Sequence, residues 1–199
     1  MLPNLLPFAL FAFVASITPG PTNILILGHG ARFGLRATLP LILGACLAAA
    51  LVVLLVGLGL GEVLLAYPRV QQLMTWLGVA WLSWLGWQLL NAGAAPLASP
   101  DSPRDLRARD AALLQLINPK GVVDGGRGAR GFQQRQREPV AGQAATGALF
   151  LLIALPCMTS WALMGVGSAR LLRSPQKARR FNQLLALLLI ASAWLAVLG

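Results

Sequence analysis

Carboxylates and imidazoles are almost missing from this sequence, which has six Asp and Glu together and a single His in 199 residues. The acids are Glu62, Asp101, Asp105, Asp110, Asp124 and Glu138, and none falls inside an apolar stretch. General acid–base catalysis draws on such groups, and Ser16 and Ser160 have no His base near them in sequence. An enzyme is therefore not expected. Oxygen, nitrogen and sulfur ligands are too scarce to expect a metal site, and no cofactor is expected. The two cysteines, Cys46 and Cys157, lie inside apolar runs without ligand-like spacing and read as small packing residues.

Charge of either sign is scarce. Only 11% of residues are charged and 57% are hydrophobic, whereas a soluble domain carries about a quarter charged residues. Bilayer, not water, is the expected solvent. What charge remains is lopsided, with 16 Lys and Arg and a net charge of +10. In a soluble protein that excess points to nucleic acid. Here the basic residues lie between apolar runs, as retention on the cytoplasmic side requires, so no nucleic-acid partner is expected.

Five apolar segments are long enough to cross hydrocarbon as helices, at residues 5–27, 37–61, 70–90, 144–166 and 181–198. The first reads as a retained span, because it has no basic stretch before it and no Ala-x-Ala site after it. Gly44, Ala45, Ala48, Ala49, Gly57 and Gly61 would let the second approach a neighbour closely. Trp76, Trp81, Trp84 and Trp87 read as packing or interfacial anchors on the third. One membrane domain is expected over 1–199, with a first half at 1–91, a cytoplasmic loop at 92–110 and a second half at 111–199.

The loops set the orientation. His29, Arg32 and Arg36 mark the first connection as cytoplasmic, and His29 reads there as a surface residue. Arg104, Arg107 and Arg109 mark the third connection, and Arg170, Arg173, Lys177, Arg179 and Arg180 mark the last. Parity then demands a fourth span between Asp110 and Ala144. Residues 121–143 hold instead Arg127, Arg130, Arg135, Arg137, Asp124 and Glu138, with Gly121, Gly125, Gly126, Gly128 and Gly131 among their glycines. Each charge at mid-bilayer costs about 2.5–3.5 kcal/mol, so the window as written is a polar loop. A one-base shift of GC-rich codons for 121–126 reads Ala-Trp-Trp-Met-Ala, which makes a compensated frameshift one account of the missing span.

Two interruptions carry the functional reading. Thr18-Pro19-Gly20-Pro21-Thr22-Asn23 breaks the first span from within. Its prolines remove two backbone donors and Gly20 allows a sharp turn. Such a break is tolerated at membrane depth only against protein or a water-filled cavity. Asn118-Pro119-Lys120 interrupts the corresponding point of the second half. Matching breaks in two halves point to a carrier's binding site. Pro156 loosens the fifth segment, and Trp161 reads as core packing.

With the Gly30-Ala31-Arg32-Phe33-Gly34-Leu35-Arg36-Ala37 stretch, Leu77-Gly78 and Leu82-Ser83-Trp84-Leu85-Gly86, these motifs resemble the lysine/threonine exporter family of LysE/RhtB type. The resemblance implies an all-α, six-helix fold of two inverted three-helix halves. It also implies export of amino acids or related metabolites across the inner membrane, driven by the proton gradient. Substrate-binding positions map onto Pro19, Gly20, Pro21, Asn23, Asn118, Pro119 and Lys120. The glycine-rich helix faces suit a homodimer. The sequence departs from the family over 121–143, where members keep an apolar fourth helix, and a non-transporting, decayed or accessory membrane protein is the alternative.

Overall fold

A straight helix of 35 residues would be about 52 Å long, far more than the ~30 Å of a hydrocarbon core, and this chain has a helical run of that length that is broken by a kink. The computed structural model describes residues 2–60, 67–91, 108–117, 140–169 and 174–198. Among them every regular element is helical: α1 (Leu2–Ile17), α2 (Pro21–Leu55), α3 (Pro68–Asn91), α4 (Ala108–Ile117), α5 (Val140–Ala169) and α6 (Pro175–Leu198). The 35-residue helix is α2.

It is accommodated by an elbow. Gly34 has φ 80° and ψ 174°, a conformation that only glycine adopts without strain. Residues nine apart on a straight helix point to opposite faces and are about 13 Å apart along the axis. Yet His29 Nδ1 lies 2.9 Å from Thr38 Oγ1. The chain must therefore fold sharply at Gly34 into two arms, residues 21–33 and 35–55. The basic connection expected at 28–36 is helical on both sides of that one glycine. His29, expected on the surface, is only 6% exposed, because the folded arms set its ring against the Thr38 hydroxyl and the Phe33 ring.

The segment bounds shift for related reasons. Hydropathy marks where a helix is apolar, not where its hydrogen bonds begin. Thus α6 starts at Pro175, before the apolar run, and includes exposed Lys177, Arg179 and Arg180. Likewise α5 starts at Val140, so the last four residues of the window expected as a polar loop are helical. The second arm of α2 passes into a π-helical turn, Val56–Leu60, where Gly59 takes φ 103°. Residues 118–139, which hold most of that window and the expected fourth span beyond α4, lie outside the described residues.

Burial between helices in lipid brings little hydrophobic gain, so close approach and dispersion must hold them. One core joins Phe8 and Ala12 of α1, Leu41, Ile42, Ala45 and Cys46 of α2, and Phe150, Ala154 and Ala162 of α5. A second joins Ile24 and Leu25 to Val79, Leu82 and Leu85 of α3 and Leu185 and Leu189 of α6. The first arm of α2 thus separates two cores. Glycines set the contacts: a Cβ on Gly30 would come 2.6 Å from the Ala162 carbonyl, one on Gly165 would strike the Leu27 carbonyl, and one on Gly44 the Ala108 carbonyl. Both cysteines are buried and free, as packing residues should be.

The outside is apolar. Leu39, Leu43, Leu47 and Leu51 form an exposed stripe at helical spacing along the second arm of α2, and all four tryptophans of α3 are exposed. Trp76 meets Trp194 of α6 edge-on at 6.2 Å. Such a surface belongs against lipid rather than water. Two helical stretches, Pro21–Gly59 and Gly142–Ser168, are long and apolar enough to cross a membrane, and Leu6–Ile17 is a shorter apolar one.

Candidate functional site

Pro19 and Pro21 supply no N–H, so the carbonyls of Ala15 and Ile17 lose the donors a continuing helix would offer. What replaces them builds the site. Thr18 closes α1 by giving both its amide (3.0 Å) and its hydroxyl (2.6 Å) to the Val14 carbonyl. The Ile17 carbonyl accepts from Trp161 Nε1 of α5 at 3.2 Å. The Ser16 carbonyl accepts from Asn23 Nδ2 at 2.8 Å, which ties the first turn of α2 back across the break.

Gly20 is the extended N-cap of α2, with φ −148° and ψ 175° and no side-chain cap bond. The amides of Thr22 and Asn23 are therefore helix-start donors without an acceptor in their own helix, and they carry the positive end of the helix dipole. Beside them Thr22 Oγ1 donates to Gln115 Oε1 of α4 at 3.0 Å, a bond between residues 93 apart in sequence.

These groups surround a cavity of about 70 Å³, room for the order of five waters. Its polar side is Ser16, Thr18, Thr22, Asn23 and Gln115, and its apolar wall includes Phe11, Ala45, Cys46, Phe150 and Met158. Ser16 is 2% exposed, and its Oγ makes no hydrogen bond among the described residues. A buried hydroxyl without a partner costs free energy unless something else satisfies it.

Of the positions expected from sequence, Gly20, Pro21 and Asn23 line this cavity. Pro19 is exposed and does not. Asn118, Pro119 and Lys120 lie outside the described residues, and α4 ends one residue before them. Gln115, three residues before Asn118, touches the first break. Ser16, Gln115 and the Trp161 indole are site groups that sequence reasoning missed. A trace of Gln115 was visible as the one polar residue within Leu113-Leu114-Gln115-Leu116-Ile117. Among the described residues, no three His, Cys, Asp or Glu side chains gather as metal ligands.

Known proteins give the same direction. The chain is 29% identical to the cysteine/O-acetylserine efflux protein of Escherichia coli O139:H28 (strain E24377A / ETEC) over 199 residues, covering 97% of each chain. It has the same identity and coverage to the proteins of that name from Escherichia coli (strain K12) and Shigella sonnei (strain Ss046). No solved structure gives a significant match. The family model described as LysE type translocator matches residues 13–198, and with a broken helix, a polar cavity at the break and an apolar outer surface in place, the chain belongs to that family.

Proposed function

We propose that this chain is a multi-pass secondary carrier of the inner (plasma) membrane that exports small amino acids or related metabolites at the expense of the proton gradient. Its solute occupies the cavity at the α1–α2 break. The observation that carries the reading is the buried, unpartnered Ser16 hydroxyl in a small cavity between two half-helix ends. A zwitterion matches both ends. Its carboxylate suits the Thr22 and Asn23 amides at the positive start of α2, and its ammonium suits the Ala15 carbonyl and Ser16 Oγ at the negative end of α1. The relatives are named for efflux of cysteine and O-acetylserine, solutes of that kind.

The pairing of α2 with α5 and of α3 with α6 supports two inverted halves, since a two-fold exchanging 1-2-3 with 4-5-6 maps each pair onto itself. In that frame Pro19 to Pro21 and Asn118 to Lys120 are equivalent breaks, and Asn118, Pro119 and Lys120 complete the solute site from the other half.

Inside-out membrane vesicles with an imposed pH gradient test the reading. L-cysteine or O-acetyl-L-serine should accumulate above empty-vesicle levels, and Ser16→Ala should lower accumulation about tenfold, the worth of one hydrogen bond to a charged group. No accumulation by the native chain would overturn the exporter. The polar composition of residues 121–143 favours the second reading, a non-transporting, decayed or accessory membrane protein. Resequencing codons 115–145 separates the two, because a shifted reading restores an apolar fourth helix.

A further inference from the structure

The cavity at the α1–α2 break is divided in its chemistry. Its polar groups come from the break and from α4, whereas the second arm of α2 and the helix α5 contribute only apolar side chains and the Cys46 thiol. On each of these two helices the wall includes a row at four-residue spacing, which lies along one helix face. Ala45, Ala49 and Val53 form the row on α2, and Phe150, Ala154 and Met158 form the row on α5. All six are buried.

The α5 row is smallest in its middle. Ala154, 1% exposed, is a notch with a bulky side chain one turn away on either side, and the α2 row sharing the cavity is small at two of its three positions. Towards the start of α5 the two helices close up, since a Cβ on Gly147 would come 3.3 Å from the Ala50 carbonyl oxygen and 3.6 Å from Leu54 Cβ. Space is therefore left beside Ala154, Ala49 and Ala45. Protein interiors ordinarily fill such space with side chains. The buried, unpartnered Ser16 hydroxyl in the same cavity points to a ligand as the filler here.

We propose that Ala154, with Ala45 and Ala49 of α2, determines which amino-acid side chain the carrier accepts. The inference rests on the exporter reading: with the head group at the break, the solute's side chain lies against the two rows. The accepted class is uncharged and compact, a thiol, a thioether, an ester or a short aliphatic chain. A cationic side chain is rejected because no carboxylate lines the cavity among the described residues, and an unpaired buried charge is far costlier than an apolar contact. An indole is rejected by size, since the cavity of about 70 Å³ holds only the order of five waters.

Competition against labelled L-cysteine under reducing conditions, on the purified full-length protein in detergent, tests it. With the native protein L-alanine and L-methionine should both displace the label, and L-lysine and L-tryptophan should be weaker by about tenfold or more. Ala154→Val fills the notch and should weaken L-methionine about tenfold relative to L-alanine, the discrimination that a small change in pocket volume gives. Met158→Ala widens the notch and should strengthen L-tryptophan relative to L-alanine by a similar factor, and it carries the test alone if Ala154→Val does not fold. Both readouts are ratios between ligands, which a general loss of folded protein does not move. Native ratios in the folded variants, or L-lysine competing as well as L-methionine, would overturn the selectivity assignment and leave the exporter standing. No displaceable L-cysteine binding by the native protein would overturn both.

Discussion

Replacing Gly34 by alanine bends the backbone against its preference without touching a neighbour. A Cβ built there meets nothing within 4 Å, so no packing term enters. What remains is strain: φ 80° with ψ 174° lies where a side chain costs about 1–3 kcal/mol. At about 2 kcal/mol the folding equilibrium shifts roughly thirtyfold, since about 1.4 kcal/mol is tenfold. Unfolding of detergent-solubilised protein by titrated dodecyl sulfate, followed by tryptophan fluorescence, reads that shift. Gly167→Ala is the control, because Gly167 also has open space around it but sits in helical conformation, and alanine there should be neutral or stabilising by up to ~1 kcal/mol. Thr38→Val removes the acceptor of His29 Nδ1–H and should cost about 1–3 kcal/mol. Because Thr38 also bonds the Gly34 carbonyl, the Gly34 and Thr38 changes should be non-additive. If Gly34→Ala behaves like Gly167→Ala, α2 has no elbow and the His29–Thr38 contact cannot form.

Two further outcomes follow from the break. Trp161→Phe keeps the ring but strips the donor from the Ile17 carbonyl, and should destabilise the protein by about 1–3 kcal/mol in the same titration. An unchanged midpoint would mean that water meets that carbonyl instead. Thr22→Val and Gln115→Leu, combined in a double-mutant cycle, should show a coupling of about 0.5–1.5 kcal/mol. Zero coupling would detach α4 from the first break.

The break itself was legible because its cause is local: Pro19 and Pro21 lack an N–H wherever the chain goes, so α1 stops at Ile17 and α2 starts at Pro21. Membrane residence was legible for a similar reason, since charge content and apolar run length need no partner to be read. The same reading put His29 on the surface. Charged neighbours in sequence suggested a loop there, and burial depends on what folds over a residue.

Residues such as Ser16 and Gln115 show where local signals end. Each is an ordinary polar side chain in sequence, and each acquires meaning from groups contributed by distant elements. By itself the sequence determined the solvent, the all-helical class and the position of the first interruption, because propensity, proline chemistry and hydropathy act over a few residues. Only the tertiary structure decided that α2 doubles back at Gly34 and that Gln115 meets Thr22 from 93 residues away. The Thr22–Gln115 contact comes from packing between elements, and no short window along the chain contains both partners.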